Sequence, residues 1–188
     1  MKELPPTREQ ALELLEKYNG NISLINHAKA VEAVMRYMAR KRGEDEEKWG
    51  IVGLVHDLDY ERFPEVHCHK TGEILRENNW PGEYIRAVLS HGWEICTDVE
   101  PRSELEKTLY AVDELAGLVT ACALVRPSRS VRDLTLKSVK KKWKQKSFAA
   151  GADRQVIARG ARMLGVGLDE LTEDVIAAMR EVAPEIGL

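Results

Sequence analysis

The chain has 188 residues and a mass of 21.3 kDa, the size of one domain of ordinary length. Its residues are 44% hydrophobic and 31% charged, with a net charge of −3, a balance that excludes disordered, collagen-like and low-complexity proteins. The chain has three separate cysteines, a charged amino terminus and no apolar run of about 18 residues. These features predict a soluble cytoplasmic protein without disulfides, signal peptide or membrane contact.

Helical periodicity and capping residues predict an all-α fold. The predicted helices cover about 7–20, 23–42, 46–59, 67–78, 82–91, 103–124, 130–142, 153–164 and 168–182. Residues 51–55, IVGLV, are the one strand-like run, and their helical flanks favour a helix. Pro127 is expected to end the sixth helix.

A basic segment follows the sixth helix. Between Arg126 and Lys146 there are nine lysines and arginines and one acid, so this segment carries +8 and the rest of the chain −11. A basic segment on an acidic body indicates an anionic ligand of limited size, and the alternative is a solvated helix face.

The histidines lie together in the first half of the chain, between positions 27 and 91. His27, His91 and Asp113 each share a helix face with apolar residues, and the pair His56–Asp57 closes the most apolar helix. A buried carboxylate is costly unless it is paired or bound to a cation. Inward imidazoles and carboxylates from separate helices suit iron, manganese or zinc. The alternative is a buried His–Asp hydrogen-bond network without metal.

This pattern resembles the HD-domain superfamily of metal-dependent phosphohydrolases. A histidine on an early helix, an adjacent His-Asp pair and a downstream aspartate define its motif, and His27, His56, Asp57 and Asp113 match them in order. The resemblance implies a helical bundle in a single domain over 1–188. The HD core would cover about 20–125 and a basic helical extension about 126–188.

Family members with two metals carry two further histidines between the His-Asp pair and the last aspartate. In this chain the segments VHCHKTGEIL and VLSH lie at those positions. Counting back from Ile74 favours His67 over His69 as the first, but the choice stays open because Thr71 replaces the glycine of the family pattern. His91 fits the second. The dyad continues as Leu-Asp, which departs from the familiar HDIG form.

The resemblance implies two divalent metals, manganese or iron, or also magnesium, zinc or cobalt. The implied ligands are His27, His56, Asp57, His67, His91 and Asp113. Asp57 would bridge the metals, and Asp57 and His56 would be the catalytic pair. Metal-activated water would then hydrolyse a phosphate mono- or diester of a nucleotide or another small phosphorylated compound.

Other groups are expected to recognise the substrate. Arg126, Lys137 and Lys146 of the basic segment are the candidates for binding its phosphate. Asp59 and Lys70 lie close to the predicted ligands, where they would support the site or donate a proton, or else form a surface salt bridge.

Two other functions stay open. HD-fold proteins that hold two irons and activate oxygen share the same ligand series. A non-enzymatic ligand-sensing or RNA-binding module would use the basic segment 126–146, although no RNA motif accompanies its lysines. The sequence also leaves open whether the last two helices cover the cleft or form a homodimer surface.

Overall fold

A computed structural model describes residues 5–188, and this part of the chain is all-α, which confirms the predicted fold class. The helices are α1 Arg8–Tyr18, α2 Ile22–Arg42, α3 Glu46–Val55, α4 His69–Glu77, α5 Gly82–Ser90, α6 Glu104–Leu124, α7 Leu136–Trp143, α8 Arg154–Met163 and α9 Leu168–Glu181. Two short 3₁₀ turns cover Pro64–Val66 and Ala183–Ile186. None of the described helices combines the length and apolar character needed to span a bilayer.

Local capping accounts for most helix boundaries. Thr7 and Ser103 each begin a helix with a capping box. The side chain of the cap residue accepts the backbone N–H three positions later, and the side chain at that later position accepts the backbone N–H of the cap residue. Gly43 ends α2 in the left-handed conformation, with φ of 71°, which glycine adopts without steric cost. The strand-like run 51–55 lies inside α3, as the helical flanks predicted.

The predicted seventh helix, 130–142, begins too early, because α7 starts only at Leu136. The preceding residues form turns that are held by side chains. The guanidinium of Arg126 binds both carboxylate oxygens of Asp133, at 3.0 and 2.8 Å, and Ser128 donates a further hydrogen bond to Asp133. Thr135 then caps the helix.

The two longest helices, α2 and α6, contact each other at the centre of the fold. Helix α3 packs along α2, α8 packs along α6, and α9 contacts both. Gly160 on α8 permits this approach, since a Cβ atom there would lie 2.5 Å from the Cα atom of Ala111 on α6. One hydrophobic cluster therefore contains residues from the amino-terminal helices and from α8 and α9.

Candidate metal centre

Six histidine and aspartate side chains meet where five segments of the fold converge. They are His27 on α2, His56 and Asp57 directly after α3, His67 before α4, His91 directly after α5, and Asp113 on α6. Their potential ligand atoms form two groups, each with all atoms within 4.8 Å of one another. Both groups contain Asp57 and share no other residue, so this carboxylate lies between two positions for a cation.

The first group consists of His27, His56, Asp57 and Asp113. Oδ1 of Asp113 lies 2.9 Å from Nε2 of His27 and 3.2 Å from Nε2 of His56. Oδ2 of Asp57 lies 3.4 Å from the same nitrogen of His56. Two imidazoles and two carboxylates thus point at one small volume.

The second group consists of Asp57, His67 and His91. Oδ1 of Asp57 lies 3.2 Å from Nε2 of His91 and 3.5 Å from Nε2 of His67. This oxygen is buried and accepts no hydrogen bond from any residue in the range 5–188. A buried carboxylate oxygen without a donor is costly in a protein interior, and a bound cation would satisfy it. The donor set therefore fits a metal.

Two of the histidines are oriented by the helices that precede them. Nδ1 of His56 lies 2.7 Å from the carbonyl oxygen of Gly53, and Nδ1 of His91 lies 2.5 Å from that of Val88. In both cases the acceptor is three residues earlier, in the last turn of the helix, where carbonyl groups lack helical partners. When Nδ1 donates its proton, Nε2 keeps a lone pair, which is the tautomer of a metal ligand.

Asp59 orients the third ring, and the structure places His67 rather than His69 in the cluster. Oδ1 of Asp59 lies 2.8 Å from Nδ1 of His67, whereas His69 is exposed on the first turn of α4. The other oxygen of Asp59 accepts the backbone N–H of Thr71 at 2.8 Å, and the hydroxyl of Thr71 accepts the N–H of Asp59 at 3.1 Å. Asp59 is fully buried, so it is not a surface salt bridge.

Opposite charges determine the protonation of the cluster. Burial would lower the pKa of His56, but the adjacent carboxylates of Asp57 and Asp113 hold it well above its usual value. Burial would likewise raise the pKa values of Asp57 and Asp113, but His56 and the other imidazoles keep both below the usual range. A metal would therefore enter a site that holds ionised carboxylates and must displace a proton from His56.

The cluster opens into a cavity of about 320 Å³ that is lined by most of the clustered side chains and by apolar and small residues. Leu24, Tyr60 and Ile95 line it, and the side chains of Tyr60 and Ile95 are exposed at its rim. The ring of Tyr60 stands edge-on to that of His67, with centroids 5.1 Å apart. Of the residues that the structure describes, no lysine or arginine lines this cavity.

Glu114 is a cavity residue that the sequence analysis did not select. Burial raises its pKa to about 7, and the neighbouring charge of Asp113 adds to this effect. Its carboxylate accepts the backbone N–H of Asp153 at 3.2 Å, at the start of α8. An acidic residue beside another acidic residue is common on helices, so the sequence carries no signal for this position.

A second missed contact connects α8 to the turn that follows His91. Arg159 forms an ion pair with Glu94, and its guanidinium lies over the ring of Trp93, 5.4 Å from the centroid. Glu94 immediately precedes the cavity residue Ile95. Helix α8 thus supports the cavity wall in two places.

The predicted phosphate-binding residues do not line the cavity. Arg126 is bound by Asp133, and Lys137 lines a separate groove on the outer side of α7. Helix α7 contacts α6 and α9, and its buried residue is Val139, so its lysines face outward. Lys146 is exposed in the turn after α7.

The lysine three residues after His67 is also engaged elsewhere. Lys70 pairs with Glu73 one turn later on α4, at 2.8 Å. It therefore forms the surface salt bridge that the sequence analysis left as one of its two alternatives.

The family model described as HD domain matches residues 24–118, just over half of the chain, and this range contains all six clustered side chains. Among solved protein structures, no match was found for the chain.

Proposed function

The chain belongs to the HD domain family, and from this membership we propose that it is a metal-dependent phosphohydrolase with a binuclear site. The family is one of metal-dependent hydrolases, and the His/Asp groups here are of the kind that hold metal ions. The observation that carries the proposal is the pair of ligand groups that share Asp57, whose Oδ1 is buried without a hydrogen-bond donor among residues 5–188.

The proposed metal ligands follow the two groups. His27, His56 and Asp113 would hold one cation, His67 and His91 the other, and Asp57 both. Bound divalent cations would supply an activated water and offset negative charge on phosphoryl oxygens. Imidazole and carboxylate together suit manganese, iron or zinc, whereas an all-oxygen site would suit magnesium better.

The chain's own residues orient these ligands before any metal arrives. Gly53 and Val88 accept the Nδ1 protons of His56 and His91, and Asp59 accepts that of His67. Such outer partners fix ring orientation and raise ligand basicity. The site is therefore preorganised by three independent hydrogen bonds.

The cavity lining supports a substrate with one phosphate and an uncharged leaving group. Within the described residues, the cavity has no lysine or arginine, so bound metals would have to offset most of the phosphate charge there. Further phosphates would lie near Glu114 without a counter-ion. Tyr60 and Ile95 offer apolar contact to a ring or alkyl group. A nucleoside monophosphate or another small monoester meets these conditions better than a polyphosphate.

The proposal is tested by metal content and hydrolysis together. Elemental analysis of the purified protein should find about two metals per chain. The manganese- or iron-loaded protein should release p-nitrophenol from p-nitrophenyl phosphate or its bis-ester. Asp57→Ala should lose both properties while its circular dichroism stays helical, and Asp98→Ala, at an exposed carboxylate outside the cluster, should keep both.

An active Asp57→Ala protein with its full metal content would refute the proposal. Iron-loaded protein that consumes oxygen with substrate and leaves both esters intact would instead indicate a di-iron oxygenase.

A further inference from the structure

Two cysteines lie side by side at the edge of the candidate metal centre. Cys68 is fully buried between His67 and α4, and Cys96 is partly exposed where it lines the cavity. Their sulfur atoms lie within 4.8 Å of each other and of a ring nitrogen of His67. They are 28 positions apart in the chain, so the fold and not the local sequence brings them together.

Gly92 provides the space that the two sulfur atoms occupy. A Cβ atom at this position would lie 2.6 Å from the sulfur of Cys68 and closer still to that of Cys96. Real Cβ atoms essentially never approach other heavy atoms this closely, so a side chain at 92 would displace at least one sulfur. The glycine therefore permits the juxtaposition of both thiols.

The backbone holds both cysteines in place. The N–H groups of Ile95, Cys96 and Thr97 all point to the carbonyl oxygen of Gly92, at 2.9, 2.9 and 3.0 Å, which folds Cys96 back over the glycine. Cys68 has φ of 66°, a conformation that residues other than glycine adopt only when their surroundings impose it. The pair is thus a fixed feature of the fold.

We propose that Cys68 and Cys96 are an oxidant-sensitive thiol pair that hydrogen peroxide converts into an intramolecular disulfide. Peroxide oxidises the accessible Cys96 thiol to a sulfenic acid and is reduced to one water. The sulfur of Cys68 then attacks this sulfenic acid, forms the S–S bond and releases a second water. Two thiols are oxidised in total, and one peroxide is reduced to two waters.

Disulfide formation would change the second ligand group. A disulfide is about 2.05 Å long, so the two sulfurs must move together from their present separation. Cys68 directly follows His67, and its sulfur lies 3.8 Å from Nε2 of His91. Because metal ligands tolerate deviations of only about 0.2 Å, the oxidised protein should hold one metal fewer. This consequence rests on the proposed metal centre, whereas the disulfide itself does not.

Peptide mapping tests the disulfide directly. Trypsin separates the three cysteines into peptides 63–70, 87–102 and 108–129, since it does not cleave before Pro127. Reduced full-length protein is treated with hydrogen peroxide in the presence of a chelator, alkylated, digested and analysed by mass spectrometry. Peptides 63–70 and 87–102 should be joined with loss of two hydrogens, and 108–129 should carry an alkylated Cys122. Dithiothreitol should restore three alkylated cysteines.

Matched variants distinguish a specific disulfide between Cys68 and Cys96 from general oxidation of thiols. Cys122→Ser should form the same cross-link, and Cys96→Ala should leave Cys68 reduced at the same dose of peroxide. Gly92→Ala should slow the cross-link roughly tenfold, because a displacement near 1 Å strongly reduces the rate of a reaction between positioned groups. Gly117→Ala should not slow it, since a Cβ atom at this other cavity glycine meets nothing within 4 Å.

Three results would overturn the proposal: an alkylated Cys68 after oxidation, a Cys96 found only as sulfinic or sulfonic acid, or a disulfide between two chains. Metal analysis of oxidised and reduced protein then tests the coupling. Equal metal content in a cross-linked protein would overturn the coupling and leave the thiol pair standing. A metal-free reduced protein that still forms the cross-link would count against the metal centre alone.

Discussion

The buried carboxylate of Asp59 lies 2.8 Å from Nδ1 of His67 and so turns Nε2 of that ring toward Asp57. Asp59 is two residues after Asp57, so one short segment supplies the shared carboxylate and the group that orients a histidine of the second ligand group. The departure of the dyad from the HDIG form has a structural role, because the aspartate stands where that form has glycine.

Asp59→Asn should weaken metal binding at the second group while sparing the first. The amide can no longer accept hydrogen bonds through both of its polar atoms, so His67 or Thr71 loses its partner. Loss of such an outer hydrogen bond typically costs about 10- to 100-fold in metal affinity. Stepwise manganese titration should show one unchanged and one weakened site, and Asp98→Asn should resemble the wild type. Two unchanged sites would show that Asp59 does not orient the ligand.

The metal-free protein should be most stable in mildly acidic solution. The pKa of His56 is raised above 6.5 and that of Glu114 to about 7, so the stability linked to each is complete at low pH and is lost as pH rises through these raised values. The pKa values of Asp57 and Asp113 are lowered, so their contribution is present above about pH 4 and is lost as pH falls through the lowered values.

Thermal unfolding in a chelator, followed by circular dichroism, checks this dependence. The Tm should reach its maximum near pH 4 to 4.5, decline between about pH 4.5 and 7 as Glu114 ionises, and fall further above about pH 6.5 as His56 loses its proton. A Tm that rises steadily over the alkaline range would show that these groups do not dominate the pH dependence. Glu114→Gln should make the decline shallower, because the amide does not ionise.

A cation at the cavity rim should extend hydrolysis to substrates with more charge. The cavity has no lysine or arginine among residues 5–188, and Ile95 is exposed at its rim. Ile95→Lys should raise kcat/KM for a nucleoside triphosphate relative to p-nitrophenyl phosphate, by roughly tenfold for one new charge-assisted contact. Ile22→Lys replaces another exposed isoleucine, outside the cavity, and should leave the ratio unchanged. Similar ratios in both variants would show that rim charge does not set the preference.

Gly160→Ala should destabilise the fold at the contact between α6 and α8. The added methyl group would lie 2.5 Å from backbone and side-chain carbons of Ala111, which cannot rotate away. Overpacking of this kind costs about 1–3 kcal/mol. Gly117→Ala, in open space on α6, should instead stabilise the protein by up to about 1 kcal/mol. Urea unfolding measures both, and a neutral Gly160→Ala would mean that α8 shifts freely along α6.

Features that depend on neighbouring residues were predictable from the sequence, and features that depend on distant contacts were not. The caps at Thr7 and Ser103 act within three residues, so their helices begin where expected. The start of α7 depends on the pairing of Arg126 with Asp133, which no periodicity reports.

The same distinction applies to the site. The inward helix faces were local patterns, whereas the set of residues that the structure brings together came from the resemblance to the HD motif, whose members are as far apart as His27 and Asp113. The choice between His67 and His69 depends on Asp59, and the cavity position of Glu114 depends on the docking of α8. Neither the choice of His67 nor the cavity position of Glu114 can be assigned without the folded structure.

The contacts of α8 determine which helices are needed to enclose the cavity. A fragment truncated after α6 would retain the whole family match and every candidate ligand, yet it would expose the face of α6 on which Gly160 packs. Glu114 and Glu94 would lose their partners Asp153 and Arg159, and the cavity would be open to bulk water on that side. The boundary of the family match is therefore narrower than the boundary of the structural unit that encloses the cavity, and α8 belongs to that unit.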